Sequence, residues 1–470
     1  MKKREIILGY CPTRRDVFSR EEAIKYNKKI REQLNEFSVS VIDLKGINAE
    51  ELLFCDEDIE VVVERFSKAH IDALFFPHCN FGSENRVAQV AKALGVPVLL
   101  WGPRDDAPND DGLRSRDSQC GMFATGKVLR RHNIPFTYLS NSWIGSEDFK
   151  HGFERFLRVV NVVKSLRNLN ILQISTRPEP FCSVICNENE LIEKFNVHIY
   201  PITLHDLTNK IAEVEKENGE EYQNTARFIQ SIDSVGDKQK IEKVAALKVA
   251  MKRLAKKYRC RAIAMQCWTS LQELIHIMPC HANALLTDEG LPTVCETDIH
   301  GAITAIMMQA LGMGENTPFF ADLTIRHPTN ENAELLWHCG NFPYSLAKDQ
   351  GSATVGESRY HDNHYGICEW ELKSGELTIA RFDGDHGEYK LFIGEANTTT
   401  GPKNVGSYVW IEVENWPKWE HRLVEGPYIH HVSGIYGKHA EILVEACKYI
   451  PYLNADVATP SEEKLRERWY

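Results

Sequence analysis

The sequence lacks several features that would place it at once in a large class of proteins. No run approaches the roughly 20 apolar residues that a membrane span requires, and the formal net charge of its 470 residues is −11. We therefore expect no membrane insertion and no general affinity for nucleic acid. The opening stretch, MKKREIILGYCPTRRD, has only a short apolar run before Arg14, so we predict no secretory signal peptide.

Paired cysteines and glycine-rich phosphate loops are also missing. The 13 cysteines are scattered without a CxxC pair, and the closest spacing is that of Cys182 and Cys186. This usage is typical of a reduced, cytoplasmic protein with buried or incidental thiols. The segment GYCPTRRD has a strand–loop–helix setting but not the glycine spacing of a dinucleotide fingerprint, so we predict no nicotinamide cofactor.

Short apolar segments alternate with helical patterns over the first 165 or so residues. The segments rich in Val, Ile, Leu and Phe predict strands at 5–10, 39–44, 72–77, 96–102 and 134–139. Helical patterns such as 20–37, 85–95 and 146–166 separate them or follow them. This alternation predicts a doubly wound, Rossmann-like parallel sheet.

The same alternation of strands and helices returns after residue 168 and is then followed by a pattern of strands without intervening helices. Predicted strands at 170–175, 197–202, 261–267 and 291–296 enclose helical stretches at 205–232 and 238–259. After about residue 314 the strands alternate apolar and polar residues between Gly, Asp and Asn turns, and one last helix is predicted at 437–450. We predict two consecutive doubly wound α/β domains, 1–167 and 168–314, followed by a mostly antiparallel, barrel-like β domain, 315–470.

Side chains able to bind a metal follow or interrupt apolar strands in the last third of the chain. They are Glu296, Asp322, His338 and His431. Each alone has a structural explanation, a helix cap for a carboxylate or a satisfied core position for a histidine. Together they form a mixed oxygen and nitrogen set that suits Mn²⁺ or a similar divalent ion better than structural zinc.

The neighbours of these residues are expected to have supporting roles. If His430 and His431 both lie in a strand, their rings point to opposite faces and at most one serves a given site. An apolar helix is predicted to begin at about Ile303. We interpret Asp298 and His300, which precede it, as capping or supporting residues.

Several segments resemble the L-fucose isomerase and L-arabinose isomerase superfamily, without a close match to either named enzyme. The run CETDIHGAITAIMMQALG…PFFADL resembles the metal-binding core of that superfamily. The other similar segments are GYCPTRRDVFSREEA (9–23), PHCNFGSEN (77–85), SRDSQCGMFATGKVL (115–129) and AMQCWTSLQEL (264–274).

The resemblance implies a manganese-dependent aldose–ketose isomerase, an intramolecular oxidoreductase of carbohydrate metabolism. Glu296 and Asp322 match the two carboxylates that bind Mn²⁺ and move the proton through a cis-enediol. His338 matches a ligand of the arabinose isomerase branch, and His431 matches the C-terminal ligand of both branches. An ungapped match of the following glycine-rich turn would put His430 there instead.

The resemblance also implies where a monosaccharide substrate binds and how the chain assembles. Arg14, His78, Gln266, Trp268 and His430 lie in the similar segments and are candidate sugar contacts. In the superfamily the N-terminal domain of one subunit completes the site of its neighbour. We therefore expect a homo-oligomer, a trimer or hexamer, in which Arg14 and His78 act in the same subunit or across an interface.

Two other functions remain open at this stage. Enediol chemistry is shared with epimerases and aldolases, so the cluster is compatible with a Mn²⁺-dependent enzyme acting on a phosphorylated or sulfonated sugar. Two α/β domains in series also describe non-catalytic sugar-binding proteins. The sequence does not name the sugar.

Overall fold

The computed structural model describes residues 6–360 and 363–469. The described chain forms two compact units. One consists of residues 6–164 and 463–469, and the other covers the described residues of 165–462.

The N-terminal unit is built on a five-stranded parallel sheet. Its strands are β1 (Ile6–Tyr10), β2 (Val39–Ile42), β3 (Ala73–Pro77), β4 (Val98–Trp101) and β5 (Thr137–Tyr138). They lie in the order β2-β1-β3-β4-β5. Its helices are α1 (Arg20–Leu34), α2 (Asp58–Lys68), α3 (Glu84–Leu94), α4 (Ser118–Arg131) and α5 (Glu147–Leu166). Every residue of β3 and β4 is buried, as central strands covered on both faces require.

The second unit begins with a four-stranded parallel sheet. Its strands are β6 (Leu169–Ile174), β7 (Val197–Ile202), β8 (Ala262–Met265) and β9 (Thr293–Val294), in the order β7-β6-β8-β9. Its helices are α6 (Glu188–Phe195), α7 (Leu204–Glu217), α8 (Glu220–Ser231), α9 (Lys238–Lys257), α10 (Ser270–Ile275), α11 (Cys280–Asp288) and α12 (Ile299–Leu311). The predicted helical stretch 205–232 is two helices, because Asn218 takes a left-handed conformation (φ 46°) that ends α7.

Six antiparallel strands of the second unit close on themselves as a barrel. They are β10 (Phe319–Arg326), β11 (Ala333–His338), β14 (Glu376–Asp385), β15 (Glu388–Thr399), β16 (Ser407–Val413) and β17 (His431–Tyr436). The sheet order β16-β11-β10-β17-β14-β15 is closed by a pairing of β15 with β16. Strands β12 (Thr354–Glu357), β13 (Tyr365–Glu371) and β18 (Leu453–Val457) extend this sheet. Closure leaves these six strands without a free edge.

The predicted fold class is therefore confirmed: two parallel α/β sheets followed by a mostly antiparallel β region. Three helices complete the fold, α13 (Trp416–Glu425), α14 (Ala440–Cys447) and α15 (Glu462–Glu467). The sequence patterns did not predict helices α10, α11 and α15. Helix α12 begins four residues earlier than predicted. The division into three domains stays a prediction. None of the described helices is long and apolar enough to cross a membrane.

Candidate metal centre

A strained turn delivers Glu296 at the carboxyl end of strand β9. Glu296 and Thr297 both have left-handed backbone conformations, with φ of 61° and 58°. Such a conformation costs a residue other than glycine about 1 kcal/mol or more, and it persists where the surroundings enforce it. The N–H of Thr297 is held by the carbonyl of Met265 at 3.0 Å. A hydrogen bond from the neighbouring strand β8 thus holds the strained turn in place.

Asp298 follows this turn and caps helix α12. Its Oδ1 accepts a hydrogen bond from the N–H of Gly301 at 2.9 Å, which satisfies one donor of the first turn. The helix therefore begins at Ile299 rather than at about Ile303, as the apolar pattern had predicted. A side chain at position 301 would place its Cβ 2.5 Å from Asp298 Oδ2 and 2.7 Å from Phe320 Cε2. Glycine is required there by space.

Three adjacent barrel strands deliver the other predicted ligands. Asp322 on β10 lies opposite His431 on β17 and opposite Trp337 on β11. His338 is therefore one position beyond the residue that faces Asp322. Because side chains directly opposite each other in an antiparallel pair lie on the same face, the register alone brings Asp322 and His431 together.

The ligand atoms of these residues converge. His431 Nε2 lies 2.9 Å from Glu296 Oε2 and 3.5 Å from Asp322 Oδ1, and His338 Nε2 lies 4.0 Å from Asp322 Oδ1. Among the residues that the structure describes, none of these four atoms has a hydrogen-bond partner. Neighbouring ligands of an octahedral ion bound at about 2.1 Å lie about 3 Å apart. The donor set around Glu296 and His431 therefore fits a divalent cation.

His430 belongs to the same cluster. Glu296, His430 and His431 each offer a ligand atom, and these atoms all lie within 4.8 Å of one another. The sequence predicted that the two rings point to opposite faces if both histidines lie in a strand, and that condition is not met because strand β17 begins at His431. The two rings are 4.4 Å apart between centroids. His430 is exposed, whereas Glu296 and His431 are buried.

A buried ionic network, which the sequence analysis missed, holds His431 from behind. The Nδ1 atom of His431 lies 2.8 Å from Asp298 Oδ2. Arg381 on strand β14 contacts both carboxylate oxygens of Asp298 and also pairs with Asp383 at 2.7 Å. Asp383 in turn holds His300 Nδ1 at 2.7 Å. Asp298 and His300 thus support the site, as the sequence indicated, but through an arginine about 80 residues further along the chain.

The network shifts the ionisation of its members. Burial alone would raise the pKa of Asp298, but the charge of Arg381 lowers it well below the usual range. Burial would likewise lower the pKa of His431, yet the neighbouring carboxylates of Asp298 and Glu296 raise that pKa to about 10. The pKa of Glu296 is lowered despite burial, because His431 stabilises the carboxylate. Both carboxylates are therefore anionic at neutral pH.

A signal for this network was present in the strand ELTIARFDGD. Arg381 and Asp383 are two residues apart and so lie on one face of β14, and all residues from Leu377 to Asp383 are buried. Two charged residues on a buried face require partners. The sequence could have indicated the charges, but not which residues they would meet.

Of the predicted sugar contacts, Gln266 and Trp268 lie in the same unit as the cluster. Gln266 follows strand β8 as Glu296 follows β9, so both lie at the carboxyl ends of neighbouring parallel strands, where open α/β sheets bind ligands. Its Oε1 is buried without a hydrogen-bond partner among the described residues. Trp268 is half-buried, with its ring edge-on to Phe181 at 5.5 Å.

Arg14 and His78 lie in the N-terminal unit, where Thr13 forms a bridge to His78. Arg14 is buried and paired with Glu50, Nη2 to Oε1 at 3.0 Å. The Nδ1 atom of His78 contacts the carbonyl of Phe81 at 2.7 Å, and burial lowers the pKa of His78 to about 4. Their roles as sugar contacts stay predictions.

Comparisons with known proteins agree with the resemblance predicted above. Residues 9–167 match the fucose/sulfoquinovose isomerase N-terminal domain, and residues 336–456 match the L-fucose isomerase C-terminal domain. Together these matches span more than half of the chain. The chain belongs to the fucose isomerase-like superfamily, a family of sugar isomerases, without being a close match to L-fucose isomerase.

Its curated relatives include several sulfoquinovose isomerases. Those of Priestia aryabhattai and Priestia megaterium are each 27% identical over 444 residues, which cover 93% of this chain and 96% of the relative. The enzyme of Alkalicoccus urumqiensis is 27% identical over 353 residues, covering 74% and 77%. A solute-binding protein of Actinobacillus succinogenes with bound D-allose is 13% identical, with a TM-score of 0.17 over 66% of this chain and 92% of that chain.

Proposed function

We propose that this protein is a metal-dependent aldose–ketose isomerase that uses Mn²⁺ or a similar divalent ion. The observation that carries the proposal is the convergence of unpartnered ligand atoms from Glu296, Asp322 and His431 at the carboxyl end of a parallel sheet. Carboxylate oxygens with imidazole nitrogen suit such an ion. The exposed ring of His430 provides a further donor.

The substrate we propose is a sulfonated aldose of the sulfoquinovose type. The named relatives support this choice, since they match almost the full length of the chain. The sequence analysis connected a sulfonated sugar with an epimerase or aldolase. Family membership favours isomerisation of such a sugar instead.

Glu296 and Asp322 are proposed to move the proton. One carboxylate removes the proton from C2 of the open-chain aldose while the carbonyl oxygen on C1 gains a proton, which gives the cis-enediol. The oxygen on C2 then loses its proton while C1 gains one, and the ketose results with all atoms conserved. A bound divalent cation would polarise the carbonyl and stabilise the charge that develops on oxygen.

Asp298 orients His431 for its proposed role as a metal ligand. A carboxylate only accepts hydrogen bonds, so the 2.8 Å contact keeps a proton on His431 Nδ1, and a cation that displaced the proton of Nε2 would bind the lone pair of that nitrogen. The charge of Arg381 keeps Asp298 ionised. The network thereby fixes both the position and the tautomer of the ligand.

The test is an isomerisation assay of the metal-stripped full chain, with and without added Mn²⁺. The substrates are sulfoquinovose, L-fucose, L-arabinose and D-arabinose, and the reaction is followed by NMR in D₂O. We expect a ketose that carries deuterium, formed only with metal and abolished in Glu296→Gln. Formation of an epimeric aldose or of cleaved fragments would identify the epimerase or aldolase alternative. Sugar binding without turnover in the presence of Mn²⁺ would contradict the proposal.

We further propose that the chain acts in the cytoplasm as a homo-oligomer, a trimer or hexamer, in which Arg14 and His78 contact the sugar. Light scattering would measure the assembly. Mixing Arg14→Ala with Glu296→Gln distinguishes the two arrangements. If sites are shared between subunits, refolding the two inactive variants together restores part of the activity. If each subunit holds a complete site with its own Arg14, the mixture stays inactive.

A further inference from the structure

The two buried histidines of the cluster use their second ring nitrogens in opposite ways. His431 Nδ1 faces a carboxylate, Asp298 Oδ2, at 2.8 Å, and must therefore donate. His338 Nδ1 accepts a hydrogen bond from the backbone N–H of Cys339 at 2.9 Å. A neutral imidazole has one N–H and one lone pair, so the partner of one nitrogen decides the chemistry of the other.

This difference separates a cation ligand from a hydrogen-bond donor. A metal-binding histidine donates its other N–H to a carboxylate, a carbonyl or water, as His431 does. His338 has the reverse arrangement: with the lone pair of Nδ1 engaged by an N–H, its proton lies on Nε2. That nitrogen then has no lone pair to offer a cation. The metal-ligand role that the resemblance implies for His338 does not fit this geometry.

The orientation of the His338 ring is fixed by its surroundings. His338 ends strand β11 and pairs with Ser407 of β16, and the side chain is 1% exposed. The ring of Phe320 lies 5.8 Å away between centroids. The backbone of Gly406 packs closely against the backbone of His338, since a Cβ at Gly406 would lie 2.7 Å from the His338 carbonyl.

We infer that His338 is not a ligand of the metal but donates a hydrogen bond from Nε2 to an oxygen of the bound sugar. This inference rests on the proposed function, since it requires a sugar in the site. Nε2 makes no geometrically sound hydrogen bond among the described residues, and the Cys295 thiol that interacts with this ring is only a weak partner. A buried donor left without a good acceptor costs about 1–3 kcal/mol. A ligand oxygen would remove that cost.

The position of Asp322 indicates which oxygen this is. His338 Nε2 and Asp322 Oδ1 are 4.0 Å apart, too far for a hydrogen bond between them. A single hydroxyl oxygen can lie about 2.8 Å from both, accepting from His338 and donating to Asp322. His338 is thus placed to stabilise an oxygen of the carbon pair at which Asp322 is proposed to move the proton, as an oxyanion-hole donor does.

The first arm of the test measures metal binding without sugar. Mn²⁺ affinity is determined for the full chain and for His338→Gln, His338→Ala and His431→Gln, and nitrogen couplings to the bound Mn²⁺ are recorded by electron spin-echo spectroscopy. We expect both His338 variants to bind Mn²⁺ within about threefold of the parent, with unchanged nitrogen couplings. His431→Gln removes a proposed ligand itself, so it should lose affinity by at least the roughly 10–100-fold that loss of an outer partner causes, and it should lose a nitrogen coupling. Equal losses in the His338 and His431 variants would overturn the inference, as would a parent chain that does not bind Mn²⁺.

The second arm measures turnover at saturating Mn²⁺. His338→Ala should lower kcat/KM by about 100-fold or more, as loss of one oxyanion donor does. His338→Gln, which keeps an N–H, should recover part of the loss. Unchanged turnover in His338→Ala would refute the donor role. If the parent binds Mn²⁺ but isomerises no sugar, the proposed function and the donor role fail, while the first arm still decides whether His338 is a ligand. Circular dichroism identifies a variant that does not fold.

Discussion

Replacement of Arg381 by methionine gives the sharpest test of the buried ionic network around His431, the histidine of the candidate metal centre. Arg381 is 1% exposed and faces two carboxylates, Asp298 and Asp383, which are also buried. Methionine fills a similar volume but has no charge. In the variant, both carboxylates keep their burial and lose their cation.

The expected effect is large because the pair is buried. Removing one partner of a buried ion pair costs about 3–5 kcal/mol, since the other charge is left uncompensated. The loss extends to metal binding, because Asp298 orients His431 and removing such outer partners lowers metal affinity about 10–100-fold. An exposed pair gives a contrast: Arg253 and Glu217 form an ion pair with 35% and 55% of their side chains exposed. Such pairs contribute about 1 kcal/mol or less.

The assay is urea unfolding of the metal-free chain, followed by near-ultraviolet circular dichroism. With a slope of about 3 kcal/mol per molar urea, Arg381→Met should lower the midpoint by about 1 M or more, and Arg253→Met by about 0.3 M or less. Asp298→Asn in the Arg381→Met background restores the net charge of the parent network and should recover part of the stability. Equal small shifts in Arg381→Met and Arg253→Met would refute the argument that the network is a buried, mutually dependent set.

Three further predictions concern other parts of the chain. Gly301→Ala should destabilise by about 1–3 kcal/mol in thermal unfolding, because its Cβ would meet Asp298 and Phe320 at under 3 Å. The matched Gly126→Ala, whose Cβ would meet only two carbons of the Phe136 ring at 3.4 Å and 3.8 Å, should stabilise its helix by about 1 kcal/mol. Chelation should lower the unfolding temperature, and free Mn²⁺ at 100 times its Kd should restore about 2.7 kcal/mol. Burial raises the pKa of Glu334 from 4.5 to about 7, so between these values the folded state keeps a proton that the unfolded chain has lost. Stability should then fall by about 3 kcal/mol from pH 4 to pH 8, and urea titrations of Glu334→Gln should lack this part of the decline.

The fold class followed from the sequence because alternation and apolar runs are local signals. The strand 197–202 was predicted with its observed limits, and β1, β3 and β6 within a residue or two. The start of α12 was missed for a physical reason: Gly301 has low helix propensity, and the apolar pattern indicates a helix only from about Ile303. The observed start depends on the cap by Asp298 and on the close approach of Phe320, and a tertiary contact of that kind leaves no local signal.

The same distinction between local signals and tertiary contacts applies to the candidate site. Glu296, Asp322 and His431 could be proposed from residue type, position and resemblance, and the structure brings their ligand atoms together. The ion pair between Arg381 and Asp298 could not be predicted from the sequence, because the strand order of the barrel decides which side chains meet. Nor could the tautomer of His338, which depends on the backbone direction of the residue that follows it.

The aspartate at position 298 shows why a charged residue lies between a buried strand and the helix that follows it. Asparagine would cap α12 equally well, since its carbonyl oxygen can accept from Gly301. Its amide group, however, would present N–H to His431 Nδ1, and that would move the imidazole proton to Nε2 and remove the lone pair from the cation. Only a carboxylate both caps the helix and forces His431 to donate, and a carboxylate buried at this depth requires Arg381. The start of α12, the proton on His431 Nδ1 and the buried Arg381 therefore all depend on the carboxylate of Asp298, as the proposed metal site requires.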